Sequence, residues 1–231
     1  MNNMSESNRI IVRDFFRGKG LNDFAVYGIK ANIYAESRFE SAIAQSYYMK
    51  KKGLTSEQYT DMVDSGEYTE FVTDRIGYGL CQWTYHSRKA ELLERAKTKC
   101  VSIGDIYMQL EFMWDEFQNY HYMMDVLKNA KSVKEASDVV LMEYERPANA
   151  ASKKDQRASY GQKMYDEDHR TLPYTIKNTN LYTYIYKDPL TNKTVGLFPV
   201  GTFTIVEEKI VKGIPFGKLK SGSGWIRLDV L

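Results

Sequence analysis

Few side chains in this sequence have a type and spacing suited to chemistry, and the first is a carboxylic acid. Glu36 closes the run Ile33-Tyr34-Ala35-Glu36-Ser37, three residues after the last member of an apolar repeat, Leu21, Ala25, Ile29 and Ile33. Residues three and four apart share a helical face, so Glu36 falls on a buried stripe near a helix end. Desolvation and the negative end of the helix dipole both favour its protonated form. A carboxyl group that keeps its proton near neutral pH can donate it to a leaving oxygen. The plainer alternative is a helix-end glutamate whose charge lies in solvent.

The second candidate is the segment Asp74-Arg-Ile-Gly-Tyr-Gly-Leu-Cys-Gln-Trp-Thr84. Gly77 and Gly79 let a backbone come close to a ligand. Gln82 can orient a sugar amide or hydroxyl, and Tyr78 and Trp83 offer faces for sugar rings. Asp74 is a possible second carboxylate. The alternative is a glycine turn beside a tryptophan that packs in the core. The third candidate, Tyr144-Glu145-Arg146-Pro147, reads first as a helix stop with an ion pair between adjacent charges, and otherwise as the wall of a cleft.

Other chemistries find little support. Two cysteines, Cys81 and Cys100, are too few for a disulfide framework or a zinc site, and His86, His121 and His169 lack metal-ligand spacing. No metal or organic cofactor is expected. A peptidase built on Cys81 and His86 would need a third, orienting group, and none is evident; Cys81 reads as packing.

These residues require helices to hold them. Short helices are expected at 8–18, from Leu21 to about Ser37, at 56–63 and at 87–97. Asn22 or Asp23 would cap the second, and Thr55 or Ser56 the third. From Gly104 to Leu127 apolar residues alternate at four and three, which predicts one continuous helix. Further helices are expected at 132–144 and 154–166. After Pro173 the period changes to two, in Leu181–Tyr186, Val195–Val206 and Gly224–Val230, and turn residues separate the runs. About sixty residues of short strands predict a small β-barrel.

Composition marks the same boundary. The 231 residues carry 32 Lys and Arg against 30 Asp and Glu, a net of +2. From Pro173 onward there are 8 basic and 4 acidic residues, a net of +4, which leaves −2 for residues 1–172. The near-balance excludes a dedicated nucleic-acid binder. With 43% hydrophobic and 13% aromatic residues, the chain is not disordered. No apolar run is long enough to cross a bilayer. The start, MNNMSESNRIIVRDFF, lacks the basic and then apolar regions of a signal peptide, so retention in the cytosol until some other agent releases the protein is expected.

Taken together, Ala25-Val-Tyr-Gly-Ile, Ala31-Asn-Ile-Tyr-Ala-Glu-Ser, Asp74 through Gln82-Trp-Thr, Gln109-Leu-Glu-Phe and Tyr144-Glu-Arg-Pro resemble the phage tail lysozyme family. That family belongs to the lysozyme superfamily, beside goose-type lysozymes and lytic transglycosylases. The resemblance covers about residues 8–168. The segment from about 175 to 231 resembles a bacterial SH3-like domain in Leu197-Phe-Pro-Val-Gly-Thr-Phe, Phe216-Gly-Lys-Leu-Lys and Gly224-Trp-Ile-Arg.

The resemblance implies a mainly α, lysozyme-like catalytic domain over 1–172 and a small all-β SH3-like wall-binding domain over 173–231. It implies a phage endolysin: a muramidase acting on the β-1,4 bond between N-acetylmuramic acid and N-acetylglucosamine of peptidoglycan. Glu36 matches the family's catalytic acid, and Ser37 and Gln82 match residues that support it or position substrate. Asp74, with Glu70 in reserve, would be the second carboxylate, and Thr84 stands where goose-type relatives carry a further acid. A carboxyl separation of ~6.5–9.5 Å would give inversion and one of about 5–5.5 Å retention. Tyr78, Trp83 and Thr84 would line the substrate site, and Tyr184 and Trp225 would contact the wall. The enzyme is expected to be a monomer, free in the host cytoplasm until lysis, with no nucleic-acid partner and no membrane insertion. The rival readings are a lytic transglycosylase, which leaves 1,6-anhydro ends, and a non-enzymatic tail or wall-binding protein.

Overall fold

A computed structural model describes residues 3–191, 193–212 and 214–231, with side chains from residue 7 onward. The chain divides into two compact units, one extending to Glu167 and the other Asp168–Leu231.

The first unit is helical. Its elements are α1 (Asn3–Gly18), α2 (Asp23–Ser37), α3 (Ser46–Lys52), α4 (Ser56–Asp64), α5 (His86–Lys99), α6 (Ile106–Phe117), α7 (His121–Asn129), α8 (Val133–Val140), a π-helical turn (Leu141–Glu145) and α9 (Ala150–Asp168). Local signals explain several boundaries. Asn22 caps α2, its side chain accepting from the amide of Ala25 at 3.0 Å. Thr55 caps α4 in a reciprocal box with Gln58.

The central helix is α2, buried from Ala25 to Ile33 on nearly every side. Gly28 makes this possible: a Cβ there would sit 2.4 Å from the Cβ of Ala136 on α8. The two backbones therefore pack closer than any other residue would allow.

Two helices depart from the sequence reading. The expected helix from Gly104 to Leu127 is two, broken over Gln118–Tyr120, where the amides of Gln118, Asn119 and Tyr120 bond three residues back at 3.3, 3.0 and 2.9 Å. Met113, Phe117, Met124 and Leu127 stay buried across the break, so the apolar seam runs on while the backbone does not. The helix expected to end at Tyr144 widens into a π-turn over its last five residues, which re-aims Tyr144 and Glu145. Helix α3 had no periodic signal, being a single short run.

The second unit is an antiparallel sheet. Strands β1 (Tyr174–Asn178), β2 (Tyr184–Tyr186), β3 (Thr194–Leu197), β4 (Gly201–Val211), β5 (Ile214–Leu219) and β6 (Trp225–Arg227) lie in the order β1-β4-β5-β6-β2-β3. Among the described residues no ladder joins β1 to β3, so the sheet keeps two edges. Its core is small: Phe198, Ile205, Leu219 and Ile226, with Trp225 also buried. No helix among the described residues is long and apolar enough to cross a membrane.

Candidate active site

Glu36 occupies the last turn of α2 and remains half-exposed, with 22% of its side chain accessible. It is not an isolated acid. The guanidinium of Arg157, on α9 and itself buried, donates through Nη2 to Glu36 Oε1. Its other arm, Nη1, donates to Asn32 Oδ1 at 2.9 Å. Asn32 lies one turn before Glu36 on the same face. Its Nδ2 donates to the carbonyls of Gly28 and Ser137, both at 3.0 Å. Arg157 is thus pinned by a fully satisfied buried amide and presents one fixed cation to the carboxylate.

A second ion pair is also largely buried. Arg88 on α5 donates to both oxygens of Glu116 on α6, Nε at 2.5 Å and Nη2 at 2.7 Å. Glu116 Oε2 also accepts from Trp83 Nε1 at 2.9 Å and from the Tyr144 hydroxyl at 2.5 Å. Glu145 feels the charges of both pairs. Its Oε1 is enclosed and has no hydrogen-bond partner. Burial, and then the charge of Glu36, pushes its carboxyl up to about 8, while Arg157 and Arg88 pull the other way.

The glycine segment forms a tight hairpin in which Tyr78 and Trp83 exchange backbone hydrogen bonds at 3.2 and 2.9 Å. Gly79 has φ +75°, and a Cβ there would fall 2.6 Å from Gln109 Oε1. Gln109 holds the turn, accepting from the Leu80 amide at 2.9 Å and donating to the carbonyls of Ser41 and Ile103, both at 2.7 Å.

The packing of this hairpin removes several expected contacts. Tyr78 and Trp83 are fully buried and have no face for a sugar. Gln82 is half-buried and spends its Nε2 on the carbonyls of Gly79 and Ile43 at 3.1 and 3.3 Å. Thr84 is exposed, its hydroxyl turned back to the Gln82 carbonyl at 2.9 Å. Ser37 is buried and bonds the carbonyl of Ile33 at 3.1 Å, within its own helix.

Asp74 is saturated. Its Oδ1 accepts from the Ile76 amide at 2.9 Å and Lys89 Nζ at 2.5 Å, and its Oδ2 from the hydroxyls of Tyr59 at 2.6 Å and Tyr68 at 3.2 Å. Only 4% of its side chain is accessible, and none of that of Lys89. Burial lowers the Lys89 amine from the usual lysine range, against the opposing pull of Asp74. This is the bonding of a buried structural ion pair, and Asp74 shares none of its partners with Glu36. Glu70 is exposed.

Burial raises the Cys81 thiol well above the usual range, and its Sγ lies 3.5 Å from Met113 Sδ, as a packing role requires. In the sheet unit Trp225 is buried, with the ammonium groups of Lys209 and Lys218 over its ring, while Tyr184 is exposed.

The sequence did not point to Asn32, Arg88, Glu116 or Arg157. Asn32 left one trace, a polar residue on an otherwise apolar face. The motif at 144–147 was visible, but its ion pair joins Arg146 to Glu143, at 3.3 Å, and not to the adjacent Glu145.

No curated protein matches the chain. A family model, that of the phage tail lysozyme, matches residues 7–167, nearly the whole of the helical unit, and the chain belongs to that family.

Proposed function

From membership of this family, which brings a lysozyme-like, peptidoglycan-degrading activity, we propose that the chain is an endolysin-type muramidase. It hydrolyses the β-1,4 bond between N-acetylmuramic acid and N-acetylglucosamine, with Glu36 as the general acid. One observation carries the assignment: Glu36 is a carboxyl group at the end of a buried helix that stays open to solvent, while buried Arg157 and Asn32 fix its place. An acid held in this way can meet a glycosidic oxygen in a set geometry. Asp74 is better accounted for as the anchor of the glycine hairpin than as a second acid, since every one of its contacts is internal.

That leaves the hairpin without a free carboxylate to place a water, and favours one second reading, a lytic transglycosylase. There Glu36 would act first as acid and then as base toward the substrate's own hydroxyl, leaving 1,6-anhydro ends. Mass spectrometry of the products separates the two, because each hydrolysed fragment is heavier by one water.

We read residues 173–231 as an SH3-like domain that holds the enzyme on the wall, with exposed Tyr184 as a contact and buried Trp225 as part of its support. The net charge of +4 over these residues suits an anionic wall polymer. The protein acts as a monomer inside the host cell until lysis gives it access to the wall.

Glu36→Gln tests the assignment. The variant should fold and sediment with purified walls, yet clear wall suspensions about 10²–10⁴-fold more slowly. Clearing at the wild-type rate by the folded variant would show that Glu36 is not the acid.

A further inference from the structure

The outer face of the sheet unit seats two ammonium groups on one aromatic floor. Leu219 on β5 and Ile226 on β6 enter the core. Successive strand residues point to opposite faces, so Lys218 and Trp225, their neighbours in the chain, lie on the other side. Glu207 stands opposite Lys218 across β4 and β5, and Lys218 opposite Trp225 across β5 and β6. A second row, Lys209, Phe216 and Arg227, runs beside the first. Trp225 and Phe216 are buried although they face away from the core. Tyr186 packs edge-on against Phe216, with ring centroids 5.4 Å apart. Over Trp225 lie the ammonium groups of Lys209 and Lys218, 4.9 and 5.7 Å from the ring centroid. Attraction between a cation and an indole face holds them there, while their side chains keep 55 and 45% of their surface accessible.

A single anion already bridges the two. Lys209 Nζ lies 3.5 Å from Glu207 Oε1, and Lys218 Nζ lies 3.0 Å from Glu207 Oε2. The carboxylate thus marks where an anion with two oxygens on one centre fits. It neutralises one of the two charges and leaves the other. Arg227, the guanidinium on this face, is spent on Asp229 at 2.7 Å. The pair Lys209 and Lys218 therefore carries the positive charge that this face can offer a ligand.

We propose that Lys209 and Lys218, seated over Trp225, bind a phosphodiester group of an anionic wall polymer, and that Glu207 occupies their site until the polymer displaces it. The proposal rests on the reading of residues 173–231 as the wall anchor. A phosphodiester, like a carboxylate, presents two anionic oxygens on one centre. Lysine meets phosphate as a compact point charge, without the flat fork of a guanidinium. Trp225, being buried, is the support of the site and not a stacking partner.

Binding of soluble polyglycerol phosphate to the full chain can be measured by titration calorimetry, beside sedimentation with purified walls. Lys209→Gln/Lys218→Gln keeps most of both stems over the ring and removes both charges. It should weaken polymer binding about tenfold or more. Lys177→Gln/Lys193→Gln, at two exposed lysines outside the site, removes the same charge and should weaken binding less than about threefold. Glu207→Gln should tighten binding about two- to fivefold. That gain should disappear when both lysines are also replaced, because groups in one network do not act additively.

Equal losses in the two double variants overturn the proposal, since net charge alone would then govern binding. So does a single-stranded DNA of matched charge that binds as tightly as the polymer. Should Lys209→Gln/Lys218→Gln fail to fold, Glu207→Gln decides: unchanged or weaker polymer binding means that Glu207 does not occupy the site. A wild type that sediments with walls and yet ignores the polymer overturns the proposal and leaves the wall-anchor reading standing. A wild type that binds neither overturns both.

Discussion

The two units differ in which kind of misfit residue is most prominent. The helical unit hides polar ones: Lys30, Asn32, Lys89, Gln109 and Arg157 are all buried. The sheet unit shows apolar ones, with Tyr182, Ile210 and Leu190 at 82, 78 and 77% exposure. Size is the physical reason. A large helical core can enclose charged groups and still satisfy them with partners, as it does for Lys89 with Asp74 and Arg157 with Glu36. A sheet of about sixty residues over a four-residue core cannot cover all its apolar side chains. Buried polar groups and exposed large apolar groups are the informative exceptions to ordinary burial. In the helical unit they mark where geometry is fixed, and in the sheet unit where a surface is available for contact.

The contrast can be broken most forcefully at Asp74. Asp74→Asn leaves the ammonium of Lys89 buried with no countercharge, which should cost about 3–5 kcal/mol. Denaturant titration should show the loss in the helical transition, while the folded variant retains its specific activity. A folded Asp74→Asn that cleared walls a hundredfold more slowly, on the scale of a lost general acid or base, would restore Asp74 as a catalytic group.

The sheet unit should answer to its core instead. Ile226→Ala opens a cavity in a cluster of four and should cost about 2–5 kcal/mol. Calorimetry should find the sheet transition lowered and the helical transition in place. A shift of both together would mean that the two units unfold as one.

The units should also differ in their response to pH. Folding raises the Glu145 carboxyl from 4.5 to about 8. Between those values the folded state binds more protons than the unfolded one, so this group stabilises fully below the lower value and its contribution is lost as pH rises. In the sheet, Arg227 holds Asp229 low and Lys218 holds Glu207 low. Their contributions are present above the ordinary carboxylate range and are lost as pH falls through the lowered values, a small effect for exposed pairs. From pH 5 to 8 the helical transition should therefore weaken and the sheet transition should not. Glu145→Gln should flatten the helical slope, and a slope that survived in it would have another source.

The smallest effect on stability is expected at Tyr184, which lies opposite Leu197 across the β2–β3 pair with both side chains exposed. Tyr184→Ser should cost about 0.2–1 kcal/mol. If exposed apolar groups serve contact, its sedimentation with walls should fall by far more than its stability. Equal binding by wild type and variant would reduce Tyr184 to one face of a strand.

Much of the frame could be read from residue order. The change of period after Pro173 separated helices from strands because periodicity is a local property of the chain. The caps at Asn22 and Thr55 were legible for the same reason. The single helix expected over 104–127 failed because an apolar seam can continue across a turn that interrupts the backbone. Trp83 was legible as core only as one of two alternatives and Tyr78 only as an aromatic, since an irregular hairpin has no period from which to infer a face. Glu145 next to Arg146 suggested an ion pair, yet adjacent residues on a helix do not face each other. The structure pairs Arg146 three residues back, with Glu143.

The sequence by itself determined which carboxyl groups exist, that Glu36 ends a buried helical face, and that a helical domain is followed by a β one. Only the tertiary structure decided what each carboxyl group meets. Arg157 reaches Glu36 across 121 residues of chain, Arg88 takes Glu116, Lys89 takes Asp74, and Glu145 is left without a donor. The reason is physical. Local spacing sets secondary structure, but the charge on an acid depends on the groups within a few ångströms of it, and folding brings those from distant parts of the chain.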